Sequence, residues 1–204
     1  MNVSPNDPAE SAPDTASQDL AWMDRIKQGD IEALGELIEA HQHRIIAAVT
    51  RMLGDDIDAE DIAQQVFIRV WKSAPRYEPT AKFTTWLFKI MRNLVLNELR
   101  RRKRHPTLSL DATTDEDDRP IQTADPQAKA PDSAVLDEEL QRAVQHAIDQ
   151  LPEVQRMAIV LRRYDEFSYE EIGTILDLSV PAVKSVLFRA RTDLRERLSR
   201  YLDA

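Results

Sequence analysis

Residues 170–191, EEIGTILDLSVPAVKSVLFRAR, start acidic, pivot on Asp177-Leu178-Ser179 and end basic, with a phenylalanine among the charges. Just before them, Ser168-Tyr169-Glu170-Glu171 places a hydroxyl three residues ahead of a carboxylate, the spacing of a capping box, so a helix should start here. Its apolar residues Ile172, Ile175 and Leu176 stop at Asp177, and Gly173 leaves room for a following helix to come close. Ser179 can cap that second helix, and Pro181 is tolerated in its first turn. Two short helices about a three- or four-residue turn make a helix-turn-helix. At the helical period, Val183, Leu187, Ala190 and Leu194 form one stripe of the second helix, with Val186 on its flank. Lys184, Ser185, Phe188 and Arg189 fall on the opposite side. A basic helix face is commonly just solvated. A large aromatic turned away from its own core, however, needs another partner. Thymine methyls and base faces are such partners, while Lys184 and Arg189 suit guanine edges or phosphates.

The rest of the chain frames this hairpin. Its 204 residues are 42% hydrophobic with only 4 glycines and 6% aromatics, which favours an all-α protein over sheets and tight turns. There is no cysteine, and His41, His43, His105 and His146 are scattered, so neither a disulfide framework nor a metal site is expected. The first residues, MNVSPNDPAESAPDTASQ, have no basic start or apolar stretch, and nowhere do about 18 apolar residues run together. A cytoplasmic protein with no membrane span and no cofactor is the expectation. No nucleophile–base constellation or phosphate-binding glycine loop is present, so an enzyme is not expected. The net charge of −9 argues at first against a nucleic-acid partner. Its distribution argues the other way, since residues 100–104 read RRRKR and residues 180–202 hold six basic side chains against two acidic ones.

Residues 106–134 hold four prolines, seven acids and two bases, too little apolar surface to offset the entropy of ordering. They read as a disordered acidic linker, with residues 1–18 a second tail. A flexible chain of this length spans roughly 30 Å and stretches to about 100 Å. That suffices to set two domains one DNA turn, about 34 Å, apart. Two small helical domains follow, over 19–105 and 135–204. Helices are predicted over 20–28, over 30–53 and ended by Gly54, from an N-cap at Asp58 to Lys72, over 84–104, over 135–150, and from Leu151-Pro152 onward.

The stretch from Leu151 to Leu198, LPEVQRMAIVLRRYDEFSYEEIGTILDLSVPAVKSVLFRARTDLRERL, resembles region 4 of bacterial sigma factors, in particular the extracytoplasmic-function (ECF) group. The resemblance implies that the second helix reads the minus-35 promoter element. By position, Lys184, Ser185, Phe188 and Arg189 become base-reading or adjacent residues and Arg191 a phosphate contact. Asp177 stands where relatives often have Gly, and tolerates a left-handed turn better than most residues. Val186 stands where relatives often have Arg. The stretch from Asp58 to Arg104 resembles sigma region 2, and the two regions come in the family's order. On the helix from Asp58, Ile62, Ala63, Val66, Phe67 and Val70 are a core stripe, while Asp61, Gln64 and Gln65 lie opposite. The resemblance gives that opposite face to the clamp helices of core RNA polymerase.

The next helix carries Leu87, Ile90, Met91 and Leu94 on one stripe and Lys89, Arg92, Asn93, Asn97 and Arg100 on a second, polar one. Over residues 85–104 seven bases oppose one acid, a usable phosphate track. The resemblance places this helix on the minus-10 element, with Lys89, Arg92 and Asn93 as contacts. It gives Thr80, Ala81, Lys82 and Phe83 to a pocket for a base flipped out of the non-template strand. Trp86 is either a melting aromatic or a core anchor, and Leu87 takes the second place of a Trp pair found in housekeeping sigma factors. The resemblance thus implies a sigma factor whose partners are core RNA polymerase, promoter DNA and an anti-sigma factor. A stand-alone helix-turn-helix regulator is the other reading that the hairpin permits.

Overall fold

The computed structural model describes residues 15–54, 58–104 and 131–202. An N-terminal group comprises α1 (Thr15–Lys27), α2 (Ile31–Leu53), α3 (Ala59–Ser73), a 3-10 turn (Ala74–Arg76) and α4 (Phe83–Arg104). A C-terminal group comprises α5 (Pro131–Asp149), α6 (Glu153–Arg163), α7 (Tyr169–Leu176), α8 (Val180–Arg197) and α9 (Ser199–Leu202). No strand occurs among the described residues, and none of their helices is long and apolar enough to cross a membrane.

Local chemistry explains the boundaries. Asp30 opens α2, its Oδ1 accepting from the Glu32 and Ala33 N–H groups at 2.9 and 3.1 Å, and Gly54 closes it at φ +83° with its N–H on the Thr50 carbonyl. Asp58 stands at the expected N-cap of α3 but does not act as one. With ψ at 1° its side chain turns away from the helix start, and its carboxylate takes Arg102 of α4 at 2.7 Å. The α1 helix begins at Thr15, inside the expected tail, because Thr-Ala-Ser-Gln brings no breaker. The α5 helix begins at Pro131, inside the expected linker, since proline's missing N–H is no loss at a first helical position. The rest of the expected tail and linker lies outside the described residues. Pro152, expected within the first turn of the next helix, is instead the N-cap of α6.

Expected as separate bundles, the two groups touch, and their cores form one hydrophobic cluster. The α4 helix packs on α7, and α2 packs on α6 and α5. At the centre, Phe88, fully buried, meets Phe167 edge-on with ring centroids 4.8 Å apart. The Arg44 guanidinium lies over both rings at 4.9 and 5.1 Å and bonds the Asp165 carboxylate at 2.9 Å. Arg156 reaches back to the Met52 carbonyl at 3.0 Å. Burial pushes the Asp165 carboxyl above its ordinary value, against the pull of Arg44. In the N-terminal group, a buried pair ties α1 to α2: His41 Nε2 lies 2.7 Å from Asp19 Oδ1.

Candidate nucleic-acid interface

The hairpin forms as its chemistry dictates. Ser168 Oγ accepts from the Glu171 N–H at 3.2 Å, and Glu171 Oε2 accepts from the Ser168 N–H at 2.8 Å, so both halves of the capping box are made. Burial works against the Glu171 charge, but the Ser168 N–H and Lys82 outweigh it and hold that carboxyl below its ordinary value. Asp177 ends α7 in the left-handed region at φ +56°. The Leu178 N–H returns to the Gly173 carbonyl at 2.9 Å. A Cβ on Gly173 would lie 2.7 Å from the Leu178 carbonyl oxygen, which is why only glycine fits this approach. Ser179 caps α8 through the Ala182 N–H, with Pro181 in the first turn.

On α8 the two faces separate as the period predicts. Val183, Val186, Leu187 and Ala190 are buried, and Lys184, Ser185, Phe188, Arg189 and Arg191 are exposed. Phe188 is 71% exposed, the largest apolar side chain so placed on this helix. Ser185 donates its hydroxyl to the Pro181 carbonyl at 3.0 Å, which leaves its lone pairs outward.

The α4 side is different. Thr80, Ala81 and Lys82 form an exposed loop, but Phe83 is 2% exposed. Its ring packs against His41 (5.5 Å), Trp86 (5.8 Å) and Tyr77 (6.2 Å), so it walls the core behind the loop and offers no free face. Trp86 is half-buried, its ring tilted against Tyr77 with centroids 4.6 Å apart, and thus anchors the helix while keeping an outer edge. Asn93, Asn97 and Arg100 are exposed, whereas Lys89 and Arg92 are engaged across the seam between the groups. Lys89 Nζ lies 2.8 Å from Asp177 Oδ1 and Arg92 2.8 Å from Asp177 Oδ2. A second Arg92 nitrogen donates to the Leu176 carbonyl at 3.1 Å. The Lys89 contact, then that of Arg92, holds the Asp177 carboxyl below its ordinary value. The seam contacts of Arg44, Phe88, Asp165 and Phe167 went unread in the sequence, where a lone Phe on a core-adjacent face carries no signal of which surface it meets.

On α3, Asp61, Gln64 and Gln65 are all exposed along one face. Beside them, between α2 and α3, runs an open apolar groove of about 770 Å³ that includes Gln64. Its rim residues Ile31 and Ile68 are 72% and 50% exposed, more than isolated surface apolar residues need be. No group of three or more potential metal ligands occurs among the described residues.

Comparison with known proteins adds the following. A family model described as Sigma-70 region 2 matches residues 37–105, and one described as Sigma-70, region 4 matches residues 141–194. The RNA polymerase sigma-H factor of Pseudomonas aeruginosa is 32% identical over 188 residues, covering 90% of this chain and 95% of that protein. The ECF RNA polymerase sigma factor SigW of Bacillus subtilis is 34% identical over 174 residues, covering 85% and 93%. Among solved structures, CnrH in complex with the cytosolic domain of CnrY superposes with a TM-score of 0.64 at 25% identity, covering 90% of this chain and 98% of that one.

Proposed function

The chain belongs to the ECF group of the sigma-70 family, and we propose how its surfaces divide that family's work. It is a sigma factor that binds core RNA polymerase and directs promoter recognition and transcription initiation. In our reading residues 19–105 form the polymerase and minus-10 module and residues 135–204 the minus-35 module. The chain acts in the cytoplasm and is not itself an enzyme, because bond making in RNA synthesis belongs to the polymerase. An anti-sigma factor is a further partner, by analogy with the sigma factor RpoE of Bartonella quintana, which is solved in complex with the anti-sigma factor NepR.

The observation that carries the reading is Phe188. Water penalises an exposed aromatic, so its place between Lys184, Ser185 and Arg189 supports an edge made to enter a major groove, where the ring meets base methyls and the cations meet guanine or phosphate. Arg191, on the next turn, serves the backbone. On α3, Asp61, Gln64 and Gln65 take the polymerase clamp helices, and the apolar groove with Ile31 and Ile68 extends that contact. The family resemblance implies a glutamate at the position of Gln65, so in this reading the contact has one charge fewer. On α4, Lys89, Arg92 and Asn93 take the minus-10 strand. Thr80, Ala81 and Lys82 shape the base pocket, with Phe83 as its inner wall and the outer edge of Trp86 beside it. Flipping a base costs a few kcal/mol of stacking and pairing, which such a shaped pocket offsets.

Co-purification with core polymerase followed by run-off transcription tests this. Wild-type chain should be retained by core enzyme and should start transcripts at defined positions. Phe188→Ala should reduce run-off by about 5- to 150-fold, equivalent to about 1–3 kcal/mol of lost base contact. Because the ring is exposed, the same change should move stability by less than about 0.5 kcal/mol. A chain that binds a palindromic site as a dimer and ignores core polymerase would overturn the assignment.

A further inference from the structure

Three residues assigned above to the minus-10 element, Lys82 at the base pocket and Lys89 and Arg92 on the strand track, are already occupied by carboxylates of the other module. Lys82 Nζ lies 3.1 Å from Glu171 Oε1, and Lys89 and Arg92 share the two oxygens of Asp177 at 2.8 Å each. Farther along α4, Lys103 Nζ lies 2.6 Å from Glu153 Oε1. Each of these pairs runs in one sense, cation on the N-terminal module and anion on the C-terminal one. The end of α7 adds to it: the Leu176 carbonyl, one of the unpaired acceptors at a helix C-terminus, receives Arg92. Arg92 is the most enclosed of these cations, its side chain 17% exposed.

We propose that α7 and the start of α6 form an intramolecular stand-in for the phosphate backbone, with Asp177 as the latch that masks the minus-10 track in the free chain. The proposal rests on the assignment of α4 to promoter DNA. Its chemistry is simple. A carboxylate oxygen at 2.8 Å satisfies an ammonium or guanidinium as a phosphate oxygen does, so a phosphate reaches Lys89 and Arg92 only after Asp177 leaves. A cation that exchanges one anion for another gains little, and the counterion release that drives binding to nucleic acid is lost at those positions. The reading edge of α8 stays exposed in the same state, so the mask falls on one half of the promoter grip and spares the other. The pairs are partly solvated, which keeps the latch weak enough to open.

Asparagine and glycine both tolerate the left-handed turn at position 177 while removing the charge. The probe is a fluorescein-labelled, mixed-sequence single-stranded DNA 12-mer, titrated with the free full-length chain across a range of salt. Asp177→Asn and Asp177→Gly should bind it about 5- to 10-fold more tightly than wild type, the range expected from releasing two partly exposed ion pairs. Their plot of log affinity against log salt should be steeper by about 1.4, for two added phosphate contacts on a single strand. Run-off by holoenzyme should be the same for Asp177→Asn and wild type. Equal affinity and equal slope in the free chain overturn the latch, as does a fall in holoenzyme run-off with Asp177→Asn. Absence of run-off with wild type overturns the sigma assignment instead, and leaves the 12-mer comparison readable. A second measurement needs no change at Asp177. The chain has no cysteine, so dyes on E39C and E170C, exposed positions of the two modules, label it uniquely. Energy transfer should fall when core polymerase is added; unchanged transfer on assembly overturns the proposal.

Discussion

Gly173→Ala sets two effects of known sign against each other. Gly173 lies within α7 and is not among the residues at positive φ, so helix propensity alone favours alanine by about 1 kcal/mol. Against this, the new Cβ would sit 2.7 Å from the Leu178 carbonyl oxygen, with Val183 Cγ2 at 3.9 Å behind it. The obstacle is backbone, so relief requires moving the turn itself by several tenths of an ångström. Overpacking of this kind costs about 1–3 kcal/mol. The shift also loosens the Leu178 N–H bond to the Gly173 carbonyl, worth about 1 kcal/mol. The sum is a net destabilisation of about 1–3 kcal/mol. In urea unfolding followed by circular dichroism, with a slope of about 2 kcal/mol/M, the midpoint should drop by about 0.5–1.5 M at unchanged slope. Run-off should fall as well, because the turn sets the angle of α8, while retention on core polymerase should persist. An unchanged or raised midpoint would mean that the helices of the hairpin do not need their close approach, and the packing argument would fail.

Two further outcomes are expected. His41→Ala leaves Asp19 buried without its hydrogen-bond partner, so stability should fall by about 1–3 kcal/mol, and adding Asp19→Ala should recover part of the loss in a double-mutant cycle; a double variant as unstable as the sum of the singles would remove the pair from the account. Acid should weaken the fold through Glu98 and Asp177. Arg101 first, then Arg102, against an opposing contribution from burial, holds Glu98 below its ordinary 4.5, and Lys89 with Arg92 holds Asp177 below 3.8. Their contribution is therefore fully present above those ordinary values and is lost as the pH falls through the lower folded ones, so thermal midpoints should decline from about pH 4.5 downward, and less steeply in Asp177→Asn.

Much of the fold was legible because its signals are local. The capping box at Ser168, the αL residue at Asp177, the glycine after α2 and the stripes of α3, α4 and α8 each depend on residues within one or two turns of one another. The edge of α8 was legible for the same reason: Phe188 and Val183 take opposite faces by period alone. Asp58 holds the N-cap position its spacing predicts but makes no capping bond, because its carboxylate answers to Arg102, 44 residues away. Phe83 was grouped with its loop, although rings from three other positions close over it. The seam was not legible at all. Arg44 and Asp165 are 121 residues apart, and no periodicity links a cation on α2 to a carboxylate before α7.

The Phe88–Phe167 contact gives that seam a property its ion pairs lack. Rings of this size each bury on the order of 150–250 Å². Salt screens charges but does not loosen apolar contacts, so a chain whose carboxylates have let go is still held at this ring pair. Parting the modules lays both rings bare to water, and the separated form then either closes again or finds another surface to cover them. A macromolecule that covers them binds only the separated form and so raises its population by mass action.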